Sequence, residues 1–245
     1  MHHFFVSPEQ IGKDTVRIEG QDVNHIRLVL RMHIGDELYV RTGEDAREYR
    51  CAISEIDSNA VTAKILWALE DDTELPSKIC LFQCLPKSDK MEWIIQKSIE
   101  LGASSIVPVA SKRSIVKLSS SKAASKVARW NAVSESAAKQ SRRSFIPEVM
   151  PLMDFDEALR YASNLDVLLI PYELARDMEH TRQVLSKIQP GQSIGIIIGP
   201  EGGLDPKEVE AAVAAGAEEI TLGRRILRTE TAGIALIAAL MIQLE

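Results

Sequence analysis

Two turns in the C-terminal third of the chain combine glycine with charged residues in patterns that can do chemistry. The first, Gly199-Pro200-Glu201-Gly202-Gly203, ends the apolar run Ile194-Gly195-Ile196-Ile197-Ile198 and leads through Leu204 into Asp205-Pro206-Lys207-Glu208. A strand feeding a glycine-rich turn and a helix N-terminus exposes backbone N–H groups to a ligand at the carboxyl edge of a sheet. The turn lacks the Gly-Lys-Ser/Thr ending of a P-loop and the spacing GxGxxG, which argues against nucleotide hydrolysis. Its glycines could serve only as a sharp strand-to-helix turn. Glu201 argues otherwise: a carboxylate is awkward beside phosphate but suits a cationic or hydroxyl-bearing ligand. The second turn, Leu222-Gly223-Arg224-Arg225-Ile226-Leu227-Arg228-Thr229-Glu230-Thr231, places three arginines just before a long apolar segment. Thr229 or Thr231 can cap the helix that follows, and Glu230 sits favourably at its positive end. Surface charge alone does not explain arginines at a strand's carboxyl edge, where α/β proteins bind ligands.

The chain has 245 residues, 45% hydrophobic and 26% charged, the composition of an ordinary globular protein with one large domain or two smaller ones. It contains no run of 18 or more apolar residues, and Met1-His2-His3-Phe4-Phe5 has no signal-peptide core, so a cytoplasmic protein without a membrane segment is expected. Cys51, Cys80 and Cys84 lack metal-ligand spacing and read as small buried hydrophobes; the five histidines form no HxxH or HExxH pattern, so no metal site is expected. The net charge of −6 conceals a strong asymmetry. Residues 111–143 hold Lys112, Arg113, Lys117, Lys122, Lys126, Arg129, Lys139, Arg142 and Arg143 against Glu135 alone, or +8, so the remainder sums to −14. Such segregation suits a phosphate-binding face on an acidic body, although charge runs are also often simply solvated.

The elements that must position these groups fall into two sets. Residues 1–70 contain short strand-like runs at Phe4–Val6, Thr15–Ile18, Glu37–Val40, Tyr49–Ile53 and Ala60–Ile65, with turns spaced as in a small barrel. A helical segment, Asp22 to Arg31, interrupts them and carries His25, Arg27 and, one turn on, Arg31. Arg27 and Arg31 are equally readable as phosphate contacts or as solvated charges. The acidic stretch Glu70–Pro76 reads as a linker. Beyond it, apolar runs at 79–85, 106–110, 167–170, 194–198 and 219–222 alternate with helical segments, which predicts βα units and a largely parallel sheet. Ser88 or Asp89 can cap a helix that ends at Gly102, and Asp205, Pro206 and Glu208 form a capping-box start for a helix whose Val209, Ala212 and Val213 face the core. Ala232 to Leu244 is apolar nearly all round, which places it in the core, in a subunit interface, or in both.

Ile198-Gly199-Pro200-Glu201-Gly202-Gly203 followed by Leu222-Gly223 and Ile226-Leu227-Arg228-Thr229-Glu230-Thr231-Ala232 resembles the ribosomal RNA small subunit methyltransferase E family of the SPOUT class. Lys87–Glu92, Gln96–Gly102, Arg129-Trp130 and Glu135–Arg143 agree, as do His25, Val29-Leu30-Arg31 and Gly35-Asp36 in the N-terminal region. The resemblance implies an α/β protein with a PUA-like small β-barrel at residues 1–71 that binds RNA. It also implies a SPOUT methyltransferase domain at residues 74–245 with a trefoil knot, an exception to the rule of unknotted folds. It implies a homodimer that binds S-adenosylmethionine and methylates N3 of one uridine near the 3′ end of 16S rRNA in the 30S subunit. Cofactor contacts then fall to Leu169, Ile170 and Pro171, to Gly199, Pro200, Glu201, Gly202 and Gly203, and to Leu222, Gly223, Ile226 and Leu227. RNA contacts fall to His25, Arg27, Arg31, Lys112, Arg113, Lys117, Arg129, Arg142 and Arg143.

A methyl sulfonium is already reactive, so such an enzyme chiefly aligns nucleophile and methyl. The uracil N3 proton must also leave. Arg228 is expected to stabilise the charge that develops on the uracil carbonyls, and Glu201 or Glu230 to accept the proton directly or through water. With 5% aromatic residues, recognition by RNA shape is expected over base-by-base stacking. Two other readings stand beside this one: a non-catalytic RNA-binding assembly factor, and a methyltransferase of the same fold acting on another RNA such as tRNA.

Overall fold

The computed structural model describes residues 2–70, 72–173, 175 and 177–245. It divides into two compact units, Met1–Glu74 with Ala138–Ile146, and Leu75–Ala137 with Pro147–Glu245. Asp71, inside the acidic stretch read as a linker, lies outside the described residues.

The first unit contains β1 (His2–Phe5), β2 (Thr15–Glu19), α1 (Gln21–Asn24), β3 (Glu37–Arg41), β4 (Arg47–Ile56) and β5 (Ala60–Glu70). Alternating burial along β2 and β4 turns Val16, Ile18, Cys51 and Ile53 onto one apolar core with Leu38, Val40, Val61 and Ala63. The strands form a curled half-barrel in the order β1-β3-β4-β5-β2, and register shifts at Arg50/Cys51 and Ile53/Glu55 accompany its curvature. The helix expected from Asp22 to Arg31 is instead a four-residue α-turn followed by a π-turn over His25–Val29. The Leu30 N–H donates to the His25 carbonyl five residues back at 2.9 Å, and Arg31 ends the turn at φ 53°. The side chains of Leu28 and Val29 point to solvent, while Ile26 is buried.

Ala138–Ile146 belongs to this unit because of a polar network around two buried arginines. Arg41 is paired with Glu48 at 3.0 Å and donates to Ser144 Oγ at 2.8 Å. The Arg143 guanidinium meets both Glu74 oxygens, and Glu74 also accepts from the Ser144 N–H at 2.8 Å. Thr73 Oγ1 donates to the Arg142 carbonyl at 2.9 Å. Thr73 and Glu74, read from sequence as part of a linker, are anchored by partners about seventy residues away.

The second unit contains β6 (Lys78–Cys84), α2 (Lys90–Glu100), β7 (Ala103–Ala110), most of α3 (Ser120–Ser141), β8 (Glu148–Val149), β9 (Met153–Asp154), α4 (Phe155–Ala162), β10 (Val167–Pro171), α5 (Met178–Ser186), β11 (Ser193–Ile198), α6 (Pro206–Ala214), β12 (Ala217–Ile220) and α7 (Thr229–Leu244). Its seven-stranded sheet is parallel throughout, in the order β12-β10-β11-β6-β7-β8, with β9 also on β7. β6 and β11, in the middle, are almost wholly buried, as expected for strands covered on both faces. The expected capping box at Asp205 forms, with Asp205 accepting from the Lys207 N–H and Glu208 from the Asp205 N–H. Val209 and Ala212 are buried as read, but Val213 points outward. α7 lies against β6, β11 and α2, and Gly233 lets it approach: a Cβ there would meet Leu81 at 3.3 Å and Ile198 at 3.4 Å. One side of α7 stays uncovered, with Ile242 76% exposed, and Trp93 on α2 is 54% exposed.

Candidate active site

The site grows from a change of direction. After the edge strand β12, residues 221–228 carry the chain back to the centre of the sheet, where α7 begins. Thr229, the first residue of α7, decides where the chain lands. Its hydroxyl donates to the Gly199 carbonyl at 2.6 Å and accepts from Gln83 Nε2 at 2.9 Å. Thr229 was a candidate cap for α7; in the structure Arg228 is the N-cap residue, and the Thr229 hydroxyl joins the end of β11 to the end of β6 instead. The two glycine-bearing turns are thereby brought to the carboxyl ends of adjacent strands.

Glycine is required at two points in these turns. Gly203 and Gly223 have φ of 68° and 108°, in the left-handed region that L side chains avoid. A side chain at either position would meet open space, so these glycines serve backbone shape and leave room beside the turns.

The charged residues form a compact cluster. Lys90, at the start of α2, lies 3.0 Å from Glu201 Oε1 and 3.1 Å from Glu230 Oε2. Glu201 also accepts from the Lys87 N–H at 3.1 and 3.2 Å. Between these lysines Ser88 has φ 59°, a conformation that costs a non-glycine residue about 1–3 kcal/mol and concentrates at functional sites. Burial pushes the Glu201 carboxyl up, but hydrogen bonds from Lys90, its own backbone and the Lys87 N–H outweigh this and hold it below the usual glutamate range. Glu230 follows the same pattern: burial raises it, while its backbone hydrogen bond, the Lys90 ammonium and the Arg228 charge bring it below its ordinary value. Lys90 is raised in turn by Glu201 and then Glu230. Both carboxylates are therefore ionised near neutral pH. Arg228 is exposed beside Glu230, and Arg113 donates to the Gly202 carbonyl at 3.2 Å.

The remaining residues singled out from sequence are distributed as follows. Leu169 and Ile170 are fully buried within β10, which is paired on both sides, so their side chains pack into the core, while Pro171 is half-buried at the carboxyl end of that strand. Leu222, Gly223 and Leu227 are half-buried, whereas Ile226 is 87% exposed. The basic segment 111–143 does not belong to one body, because Arg142 and Arg143 fall in the first unit and Lys112, Arg113, Lys117 and Arg129 in the second. Arg143 is 3% exposed and engaged by Glu74 and the Phe145 ring, so it cannot meet a phosphate. Lys112 pairs with Asp205 at 3.0 Å and Arg129 with Glu92 at 2.7 Å, yet both stay exposed, as do Lys117, Arg142, His25 and Arg31; Arg27 is half-buried. Lys90 and Gln83 were missed as site residues. The signal for Lys90 was its place at the start of a helix that follows a strand end; nothing local marks Gln83 as more than one more residue of an apolar strand.

Residues 73–241 match the model of an RNA methyltransferase domain, and residues 18–66 that of an RNA methyltransferase PUA domain. The ribosomal RNA small subunit methyltransferase E of Bacillus subtilis is 35% identical over 251 aligned positions covering 100% of this chain and 98% of that protein. The chain belongs to the ribosomal RNA small subunit methyltransferase E family. The member from Mesomycoplasma hyopneumoniae is 32% identical, with 97% of each chain covered. The crystal structure of the Neisseria gonorrhoeae member bound to S-adenosyl methionine is 34% identical and superposes with a TM-score of 0.86, covering 99% of this chain and 98% of that one. Family membership accounts for both units at once, the half-barrel as a PUA domain and the parallel sheet as the methyltransferase domain.

Proposed function

We propose that this protein transfers the methyl group of S-adenosylmethionine to N3 of a uridine near the 3′ end of 16S rRNA in the small ribosomal subunit, as a cytoplasmic homodimer. The observation that carries this reading is the convergence, at the carboxyl ends of β6 and β11, of two glycine-bearing turns with Glu201, Glu230, Lys90 and Arg228.

The residues present fit the cofactor. Gly203 and Gly223 leave open space, and Gln83 Oε1 is a buried acceptor with no hydrogen-bond partner, suited to a ligand that brings N–H donors. Glu201 and Glu230 supply two ionised carboxylates that can face the positive sulfonium of such a ligand. The cofactor supplies an electrophilic methyl on sulfur. The protein's own contributions are alignment by the turns of Gly199–Gly203 and Leu222–Leu227, charge stabilisation by Arg228 at the uracil carbonyls, and removal of the N3 proton by Glu201 or Glu230. Arg228 is well placed for its role because it is exposed at the head of α7, where backbone N–H groups add positive potential.

The return from β12 to the centre of the sheet supports the trefoil knot of the SPOUT class. Exposed Trp93 and Ile242, on packed helices of one unit, support a dimer surface. Exposed Lys117, Arg129, Arg142 and Arg31 support contact with RNA phosphates, which makes affinity fall steeply with salt.

Mass mapping of methylated nucleotides in rRNA and tRNA from cells with and without this protein tests the reading. A single N3-methyluridine lost from 16S rRNA is expected; loss of a tRNA methylation, or of none, would overturn it. In the purified protein, Arg228→Ala should abolish methyl transfer to 30S particles while calorimetry shows cofactor affinity close to wild type. Near-normal turnover would remove Arg228 from the mechanism.

A further inference from the structure

Lys90 is not explained by packing. It sits in the first turn of α2, and its ammonium spans carboxylates from two other segments, Glu201 after β11 and Glu230 in the first turn of α7, at 3.0 and 3.1 Å. Two carboxylates within reach of one ammonium are close enough to oppose each other's ionisation. Without a cation between them, ionisation of one carboxylate disfavours ionisation of the other and raises its pKa. A protonated carboxyl cannot accept another proton from a substrate.

We propose that Lys90 is a positioning residue for methyl transfer, holding Glu201 and Glu230 together as a paired base beside Arg228. This rests on the reading above, in which one of the two glutamates takes the uridine N3 proton. The proton passes from N3 to the carboxylate as the N3 lone pair attacks the methyl carbon and the sulfur leaves with its bonding pair. Lys90 keeps its own proton throughout. The charged groups around the pair are Lys87, Asp89 and Lys90 from the turn before α2 and its start, Arg113 from the segment after β7, and Arg228 beside Glu230 itself. Of these, only Lys90 forms an ion pair with both carboxylates. Its removal therefore acts on both, whereas loss of Arg113 or Lys87 would not.

The test compares wild type, Lys90→Met and Lys90→Arg by the pH dependence of kcat/KM for methyl transfer and by NMR titration of the Glu201 and Glu230 carboxyl carbons in the free protein. Removing an adjacent cation raises a carboxylate by about one to three pH units, so in Lys90→Met the acid limb should move to higher pH by that amount. Activity at neutral pH should fall and recover as pH rises, and the NMR titration of at least one glutamate should move in parallel. Lys90→Arg should restore the wild-type acid limb. An unmoved acid limb and unmoved NMR titrations in Lys90→Met, with activity reduced equally at every pH, would make Lys90 merely structural and overturn the proposal. If the wild-type protein bound S-adenosylmethionine and methylated RNA but the titrations did not move, this inference alone would fail. If the wild type methylated nothing, the functional reading would fail with it, whatever the NMR showed.

Discussion

Thr229 offers the sharpest test of how the site is assembled. Thr229→Val preserves shape and burial but deletes the hydroxyl that links Gly199 to Gln83. The Gly199 carbonyl would lose its 2.6 Å partner in a half-buried setting, at a cost of about 1–3 kcal/mol for an unsatisfied acceptor. Gln83 Nε2 keeps its bond to the Cys84 carbonyl at 2.9 Å, so its loss is closer to the net value of one hydrogen bond, about 1 kcal/mol. The sum, about 3 kcal/mol, corresponds to a Tm lower by about 6–12 °C for a chain of this size. If about 1.4 kcal/mol of that reappears as the cost of re-ordering the Gly199–Gly203 turn on binding, the cofactor Kd rises about tenfold. Differential scanning calorimetry and isothermal titration of S-adenosylmethionine give both numbers. Thr229→Ser keeps the hydroxyl and loses one methyl, about 0.8 kcal/mol, so it should recover most of the loss. A Tm within about 2 °C of wild type in Thr229→Val, less than 1 kcal/mol on the same scale, would show that the hydroxyl does not hold the site together.

Two further expectations separate residues that look alike in sequence. Glu74→Gln removes the carboxylate charge that balances the buried Arg143 guanidinium and should destabilise by about 3–5 kcal/mol without changing the salt dependence of RNA affinity, whereas exposed Arg142→Ala should lower RNA affinity and flatten its salt dependence at nearly constant stability. Denaturant melts and filter binding at several salt concentrations decide this, and the reverse assignment would show that Arg143 is an RNA contact after all. Burial pushes the thiols of Cys51, Cys80 and Cys84 up to about 12, so iodoacetamide at pH 8 should label none of them in the native protein and all three in denaturant. Rapid native labelling of any one, read by mass spectrometry, would contradict its placement in the core.

What could be read along the chain was local. Short strand-like runs with their turn spacing in residues 1–70 and apolar runs beyond residue 78 marked the main strands, and Asp205-Pro206-Lys207-Glu208 marked a helix start to the residue. The two turns marked a ligand-binding edge because glycine, proline and charge rarely coincide there without a role. The short strands β8 and β9 were missed because two residues carry no period. The π-turn at His25–Val29 was missed because it shares its residue preferences with an α-helix and differs only in which carbonyl each N–H finds.

By itself, then, the sequence determined the two classes of architecture, the family and the strand ends at which ligands would gather. Only the tertiary structure decided which charges share a site. Lys90, Glu201 and Glu230 are separated by up to 140 residues, and Arg143 is buried against Glu74 and the Phe145 ring while its neighbour Arg142 is exposed. Propensity and period act over a few residues, whereas an ion pair depends on where the fold returns the chain. In this protein the crossing from β12 back to Gly199 and Gln83 does that, and no stretch of sequence shorter than the whole second unit encodes it.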